Sequence, residues 1–243
     1  MAPSSERFWE LDAVRGFALV LMVLYHFVFD LDFFGVIRLG RESAFFLAAP
    51  AIGALFLFVA GVSLSIAYSR VAGLGSAAVF SRQLGRVLLL SAVAAGITFA
   101  TLVYPGDGFV AFGIIHLMAF SAFFSIFFRG LGLANLALGV AFILAGVAAG
   151  SLLVDSPFFF WLGFPFPGFH SLDYYPVLPW FGVVLVGMSV GNVIYPGAKR
   201  AFRPPVFGRF AALGFLGRNS LLIYLVHQPV LASAILAFKS LVH

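Results

Sequence analysis

Long apolar segments restrict the fold of this chain more than any other feature of its sequence. Seven segments are apolar over about 20 residues, the length that an α-helix needs to cross the hydrocarbon core of a bilayer. The segments are 13–34, 44–68, 86–104, 109–128, 133–154, 177–195 and 220–241. Their apolar character is near-continuous, whereas the strands of a membrane barrel alternate over ~10 residues. The sequence therefore predicts an all-α, polytopic transmembrane helix bundle of about seven spans.

The amino-acid composition is typical of a protein embedded in a lipid bilayer. Of the residues, 63% are hydrophobic and 9% are charged, and 14 Lys or Arg with 9 Asp or Glu cannot cover the surface of a soluble domain of this size. The shorter apolar stretch 205–215 cannot span a membrane by itself, and an eighth crossing built from it is the alternative to seven. We expect residues 1–243 to form a single, integral, multi-pass membrane domain with the lipid bilayer as its partner.

The charged residues between the apolar segments alternate in sign. The loops after the second, fourth and sixth segments carry Lys and Arg, whereas the loops after the third and fifth carry Asp without Lys or Arg. Because Lys and Arg concentrate in cytoplasmic loops, the N-terminus is predicted to be cytoplasmic. This placement explains the net charge of +5 and predicts no binding of nucleic acid. The sequence has no cysteine, which excludes disulfides, cysteine nucleophiles and thiolate metal sites.

Polar residues on the first predicted helix share one face. They are Asp12, Arg15, His26 and Asp30. At about 100° per residue, all of them lie within an arc of about 60°. Ionisable groups are costly at membrane depth, so their alignment indicates a polar cavity or specific partners. Asp30 follows His26 by one turn, and we predict that His26 is a catalytic base oriented by the Asp30 carboxylate.

The same residues also have purely structural explanations. Asp12 could cap the helix and pair with Arg15 at the membrane interface. His26 could simply hydrogen bond to a neighbouring helix. The histidines lack ligand spacing such as His-x3-His, so no metal is expected.

The first helix also resembles membrane acyltransferases. Arg15, ten intervening residues and His26 match the Arg-x10-His signature of the acyltransferase-3 family, whose histidine is the proposed catalytic residue. The wider run 7–16 (RFWELDAVRG) resembles bacterial and archaeal members of the heparan-α-glucosaminide N-acetyltransferase family. Further patches similar to that family are 112–117 (FGIIHL), 173–182 (DYYPVLPWFG) and 216–229 (LGRNSLLIYLVHQP). The patches extend over nearly the whole chain, and the resemblance implies an acetyl-CoA-dependent transferase in a prokaryotic cytoplasmic membrane.

The chain differs from the lysosomal member of the second family in one important respect. The catalytic histidine of that enzyme follows the first helix, and residues 31–44 of this chain contain no histidine. The catalytic role of His26 therefore rests on the acyltransferase-3 pattern. The chain is also shorter than the lysosomal enzyme and lacks its lumenal domain, so a different acceptor is expected.

Residues near the cytoplasmic side and on the last helix are candidates for binding acetyl-CoA. Cationic side chains would attract the phosphates of CoA, although they also serve as topology signals. Ser220, Tyr224 and His227 share one face of the last helix, whereas Asn219 and Ser220 could simply cap it. For His116 in the fourth helix, the alternative is a hydrogen bond between helices. The complete set is Arg15, Arg82, Arg86, His116, Arg218, Asn219, Ser220, Tyr224 and His227.

These features predict transfer of an acetyl group from cytoplasmic acetyl-CoA to an amino sugar or related glycan acceptor, directly or through an acetyl-His intermediate. The alternatives are an O-acyltransferase acting on a hydroxyl of a lipid-linked glycan or polysaccharide, and a proton-coupled transporter, in which buried His and Asp are also typical. An aromatic outer loop with His170 and Asp173 is a candidate entrance for the acceptor. Gly61 and Ser65 form a small-residue pair that is expected to pack helices, and such faces would permit a homodimer.

Overall fold

The computed structural model describes residues 7–40, 42–103, 108–204 and 207–242. Eight α-helices lie in these ranges: α1 (Trp9–Phe33), α2 (Ala48–Arg70), α3 (Ser76–Val103), α4 (Ile114–Phe124), α5 (Ala134–Ala149), α6 (Val177–Ile194), α7 (Ala211–Arg218) and α8 (Ser220–Val242). Short 3-10 helices occur at Ala44–Leu47, Ser125–Phe128, Pro157–Leu162, Pro196–Ala198 and Phe207–Phe210. Within the described residues the one pairing of β type is an isolated bridge between Phe112 and Tyr174. The predicted all-α fold is confirmed.

Each of the seven predicted apolar segments contains a helix. In the described part of the chain, five helices are long and apolar enough to cross a membrane: Trp9–Phe33, Ala44–Arg70, Ser76–Val103, Val177–Ile194 and Ser220–Leu241. Two further apolar helices, Ile114–Phe128 and Ala134–Ala149, are shorter. The integral, multi-pass character of the protein is therefore confirmed, while the number of crossings and the cytoplasmic N-terminus stay predictions.

The stretch 205–215 does not form a spanning helix in its described part. Residues 205 and 206 lie outside the described ranges, and the remainder contributes a 3-10 turn and the start of α7. Helix α7 has 8 residues, well short of the ~20 that cross a bilayer.

Large apolar side chains are exposed on many of the helices. Phe99 and Val147 each have 70% of their surface accessible, and Leu241 has 85%. In water such exposure would favour aggregation, but in a bilayer these side chains contact lipid at no comparable cost. The exposed apolar surface is therefore what is expected of a protein surrounded by lipid.

The chain divides into two compact units, each described by itself. The central unit is Leu57–Arg203, with α3 to α6 and most of α2. The terminal unit combines Ser5–Phe56 with Pro204–His243, and it contains α1, α7 and α8.

Small residues bring the helices of the central unit close together. A Cβ added to Gly139 on α5 would lie 2.7 Å from the carbonyl oxygen of Gly182 on α6. A Cβ on Gly187 of α6 would overlap the carbonyl oxygen of Phe58 on α2 and lie 3.2 Å from the Cα of Gly61. Both approaches are too close for any larger side chain without movement of the backbone. The expectation that Gly61 packs helices is confirmed.

In the terminal unit, α1 and α7 cross with similarly close backbones. A Cβ on Gly16 would overlap the carbonyl group of Leu213, and one on Gly217 would overlap the carbonyl group of Asp12. The ring of Trp9 stacks on that of Phe210, with centroids 5.7 Å apart. Helix α1 is thereby held along its first turns, and α8 contacts its second half.

Candidate active site

The start of α1 carries a buried carboxylate with two cationic partners. Asp12 is 5% exposed, and its two oxygens accept hydrogen bonds from Arg7 Nε at 3.0 Å and Arg15 Nη1 at 3.1 Å. The N-cap of α1 is Phe8, so Asp12 lies inside the helix rather than capping it. Two guanidinium groups compensate the desolvation of this carboxylate. The alternative pairing of Asp12 with Arg15 is thus observed, and contact of Arg15 with acetyl-CoA stays a prediction.

His26 lies in the second half of α1 with one ring nitrogen engaged. Its Nδ1 is 3.0 Å from the carbonyl oxygen of Met22, one turn earlier. A carbonyl oxygen can only accept, so this partner assigns the proton of the neutral ring to Nδ1. The Nε2 atom then carries a lone pair, and no residue in the described part of the chain hydrogen bonds to it. That lone pair is the group that could take a proton or attack a carbonyl carbon.

His227 on α8 pairs with His26, and we call the two the histidine pair. The Nδ1 of His227 lies 2.6 Å from the carbonyl oxygen of Tyr224, so Nδ1 again carries the proton. Its Nε2 is therefore an acceptor, and it lies 3.3 Å from Nδ1 of His26. The His26 Nδ1–H is shared between the Met22 carbonyl and His227, which is itself only 8% exposed.

The predicted contact between Asp30 and the His26 ring is corrected by the structure. Asp30 Oδ1 instead accepts a hydrogen bond of 2.8 Å from Nε2 of Gln228 on α8. Side chains on a helix lean toward its N-terminus, so the His26 ring lies over the preceding turn, near Met22, and not over the turn that holds Asp30. The Met22 carbonyl and His227, rather than a carboxylate, orient the His26 ring.

The other candidates of the terminal unit lie around the junction of α7 and α8. Asn219 is the C-cap of α7, and its Nδ2 donates to the carbonyl oxygen of Phe215 at 2.9 Å. Arg218 is exposed at the end of α7, and Ser220 begins α8. The ring centroid of Tyr224 lies 5.5 Å from that of His227. The structure thus brings His227 to His26 and Tyr224 to His227, whereas binding of acetyl-CoA by these residues stays a prediction.

In the central unit, both ring nitrogens of His116 are engaged. The N–H of Gly113 donates to Nδ1 at 3.2 Å, so the proton of the neutral ring is on Nε2. Nε2–H in turn donates to Thr98 Oγ1 at 3.1 Å, and the Thr98 hydroxyl donates to the carbonyl oxygen of Val110 at 2.7 Å. This chain of bonds ties α4 to α3 and to the segment between them.

A cleft of about 240 Å³ adjoins His116 in the same unit. Its lining consists of Ser91, Ala94, Ala95, Phe112, His116, Ala119 and Phe120. Two further candidates of this unit, Arg82 and Arg86, lie on α3, where Arg82 is exposed and Arg86 is half-buried. Contact of these three candidate residues with acetyl-CoA stays a prediction.

The loop proposed as an acceptor entrance is fixed to the start of α4. Asp173 Oδ2 accepts from the N–H of Ile114 at 2.9 Å, and a Cβ on Gly113 would collide with the carboxylate. Burial raises the pKa of Asp173 to about 6, although the Ile114 hydrogen bond lowers it. The Tyr174 hydroxyl donates to the carbonyl oxygen of Phe160 at 2.6 Å, and burial raises the pKa of Tyr174 to about 12. His170 is exposed on this loop.

The described helices and the histidine pair define the class: a multi-pass helical membrane protein with two hydrogen-bonded histidines inside its terminal unit. A family model described as heparan-alpha-glucosaminide N-acetyltransferase, catalytic, matches residues 7–229. The chain therefore belongs to this family of membrane acetyltransferases, and it is a transferase. Searches of curated proteins and of solved structures returned no match. The resemblance to this family is confirmed, whereas the Arg-x10-His signature of the acyltransferase-3 family stays untested.

Sequence reasoning missed the pairing of His26 with His227 and the role of Gln228. A signal was present, because α8 carries His227 and Gln228 in succession and α1 carries His26 and Asp30 one turn apart. Two polar pairs on otherwise apolar helices are expected to form hydrogen bonds with one another. The choice of partners depends on how the helices pack, and the sequence does not show that directly.

Proposed function

We propose that the protein transfers an acetyl group from acetyl-CoA to the amine of an amino sugar or a related glycan unit, with His26 as the general base. The observation that carries this proposal is the free Nε2 of His26, held in one tautomer by the bond from Nδ1–H to the Met22 carbonyl. A base of this kind needs a free lone pair and a fixed orientation. Membership of an acetyltransferase family supplies the class of reaction.

In the direct route His26 Nε2 takes a proton from the acceptor nitrogen as that nitrogen attacks the thioester carbonyl carbon. A C–N bond forms, the C–S bond breaks, and Nε2 returns the proton to the departing sulfur to give the CoA thiol. While His26 is protonated, its Nδ1–H points to the Met22 carbonyl and to Nε2 of His227. Both acceptors stabilise the imidazolium, as a carboxylate does in a Ser-His-Asp triad.

An acetyl-His intermediate uses the same atom. In that route His26 Nε2 attacks the thioester carbon, an N–C bond forms and the C–S bond breaks to release the CoA thiolate. The acceptor nitrogen then attacks the acetyl carbon, the bond from that carbon to Nε2 breaks, and the proton of the acceptor passes to the CoA thiolate to give the thiol. Mass spectrometry after incubation with acetyl-CoA alone distinguishes the routes, because only the second leaves an acetyl group on His26.

Binding of the donor is the second part of the proposal. Guanidinium groups form strong hydrogen bonds to phosphate oxygens, so arginines are proposed to contact the CoA phosphates. Arg218 is the candidate in the terminal unit, and Arg82 and Arg86 are separate candidates in the central unit. We further propose that the membrane is the cytoplasmic membrane of a prokaryote, where acetyl-CoA is present on the inner side.

The test of the function is acetyl transfer by purified protein in lipid nanodiscs. Labelled acetyl-CoA is offered with a panel of amino sugars and with the matching sugars that carry only hydroxyl groups. Label transfer to the amino sugars is the expected result. Transfer to hydroxyl sugars alone would establish the O-acyltransferase alternative, and no CoA-dependent transfer to any acceptor of the panel would contradict the proposal.

A further inference from the structure

Two buried oxygen atoms beside the histidine pair have no hydrogen-bond partner. They are Asp30 Oδ2 and Gln228 Oε1. The two groups are already joined, because Gln228 Nε2 donates to Asp30 Oδ1 at 2.8 Å. Asp30 is 2% exposed, so water from outside does not reach its carboxyl group. Buried polar atoms are almost always hydrogen-bonded, and two orphan acceptors on one bonded pair need a common explanation.

No counter-ion for Asp30 is present in the described part of the chain. The amine of Lys239 on α8 donates to the Phe34 carbonyl oxygen at 2.5 Å, and no ion pair joins it to Asp30. His26 directs Nδ1–H to the Met22 carbonyl and to His227, whose own Nδ1–H is bound by the Tyr224 carbonyl. Asp32, two residues further along α1, accepts from the N–H of Leu39 at 2.6 Å. A buried carboxylate without a cation is strongly disfavoured.

We propose that Asp30 carries a proton on Oδ2 and donates it to Oε1 of Gln228. The acid and the amide then form a cyclic pair, with Nε2–H donating to Oδ1 and Oδ2–H donating to Oε1. A single proton satisfies both orphan oxygens and leaves no charge buried. This inference concerns the terminal unit only and does not depend on the proposed function.

The cyclic pair has a positioning role for the histidine pair. Gln228 directly follows His227 on α8, and Asp30 lies one turn after His26 on α1. Two reciprocal hydrogen bonds at this point fix the register of α1 against α8, and with it the distance between His26 Nδ1 and His227 Nε2. Asp30 and Gln228 are therefore positioning residues and not members of the reacting set.

Infrared spectroscopy tests the proton directly. Protein with ¹³C-labelled aspartate in nanodiscs at neutral pH is expected to show the carbonyl band of a protonated carboxylic acid. The band should shift with the label and with deuterium oxide, disappear in Asp30→Asn, and persist in the control Asp32→Asn. If Asp30→Asn removes only the absorption of an ionised carboxylate, Asp30 is charged and the proposal is overturned.

Thermal unfolding provides a second, independent readout. Asn at position 30 offers an N–H in place of Oδ2–H and a carbonyl in place of Oδ1, so the Asp30→Asn variant should unfold at the wild-type temperature. Asp30→Leu has a similar size but leaves the Gln228 amide unpaired, and its unfolding temperature should fall by about 5 °C. Equal losses in the two variants would show that an ionised carboxylate is required and would contradict the proposal.

Discussion

His26 of the terminal unit and His116 of the central unit both lie in apolar helices, and their rings have opposite hydrogen-bond patterns. His116 accepts at Nδ1 from Gly113 and donates from Nε2 to Thr98. His26 donates from Nδ1 to the Met22 carbonyl, and within the described chain its Nε2 has no hydrogen-bond partner. The first ring is fully used in holding helices together, whereas the second keeps a lone pair for chemistry.

The difference follows from where each histidine lies in its helix. His116 is the third residue of α4, where the backbone N–H of the N-cap residue has no partner within the helix and needs an acceptor. His26 lies in the interior of α1, where backbone N–H groups are already bonded and only carbonyl oxygens can take a further bond. A ring in that position donates from Nδ1 to a carbonyl of its own helix, as His26 and His227 both do, and its Nε2 stays available to a partner from outside the helix. Position in the helix, and not residue type alone, separates the histidine whose ring nitrogens are both bonded from the one that keeps a lone pair.

The largest expected effect is on catalysis in His26→Asn. The Asn side chain can still donate to the Met22 carbonyl, but it has no basic nitrogen. Acetyl transfer should fall on the order of 10³-fold, as expected for loss of a general base. The measurement is the initial rate of transfer, with Phe27→Leu, an exposed neighbour on α1, as the control that keeps its rate. Wild-type turnover in His26→Asn would remove His26 from the mechanism.

The second prediction concerns the stability provided by His116. His116→Leu leaves the Gly113 N–H and the Thr98 hydroxyl without their ring partners, and the free energy of unfolding should fall by about 2 kcal/mol. In His116→Gln the side-chain carbonyl can accept from the N-cap N–H, as Gln does in a capping box, so part of the loss should be recovered. Denaturant unfolding in detergent measures both variants. Equal stability of His116→Leu and wild type would show that these bonds contribute nothing.

A smaller catalytic effect is expected in His227→Phe. The aromatic ring fills the same space but cannot accept from His26 Nδ1–H, and the Met22 carbonyl remains as the single orienting partner. The turnover number should fall about tenfold, which corresponds to about 1.4 kcal/mol of transition-state stabilisation. A change in KM for acetyl-CoA with an unchanged turnover number would instead assign His227 to donor binding.

The smallest effect is a pH dependence of stability at the start of α4. The pKa of Asp173 is raised from 3.8 to about 6, so the folded state binds more protons than the unfolded state between these values. The free energy of unfolding should therefore decrease as the pH rises through this window. Asp173→Asn keeps an acceptor for the Ile114 N–H and should remove the dependence. An unchanged pH profile in that variant would locate the titration elsewhere.

Apolar segment length predicted the helices well because it depends on the chain alone. The seven segments each contain a helix, although α4 and α5 are shorter than the apolar stretches around them. In the first case, the helix begins only at Ile114, where Asp173 accepts the free N–H. That boundary depends on a contact 59 residues away in the sequence.

Side-chain partners within the site were less predictable. The shared face of α1 suggested His26 as the base, which stays a prediction, and it suggested Asp30 as the orienting group, whereas Asp30 is bonded to Gln228. The contact of His26 with His227 joins residues 201 positions apart, and the bond from Gln228 to Asp30 joins residues 198 apart. Such pairings are decided by the packing of α1 against α8. Helical periodicity can place residues on a face, but it does not identify what that face meets.

The most direct test of the contrast between the two histidines is the position of the ring proton. Nitrogen-15 NMR of histidine-labelled protein in lipid distinguishes a protonated from an unprotonated ring nitrogen, and His26→Asn and His116→Gln assign the signals. The structure predicts the proton on Nδ1 in His26 and on Nε2 in His116, with both rings neutral. A proton on Nε2 of His26 would leave it no lone pair to act as the base, and would contradict the account.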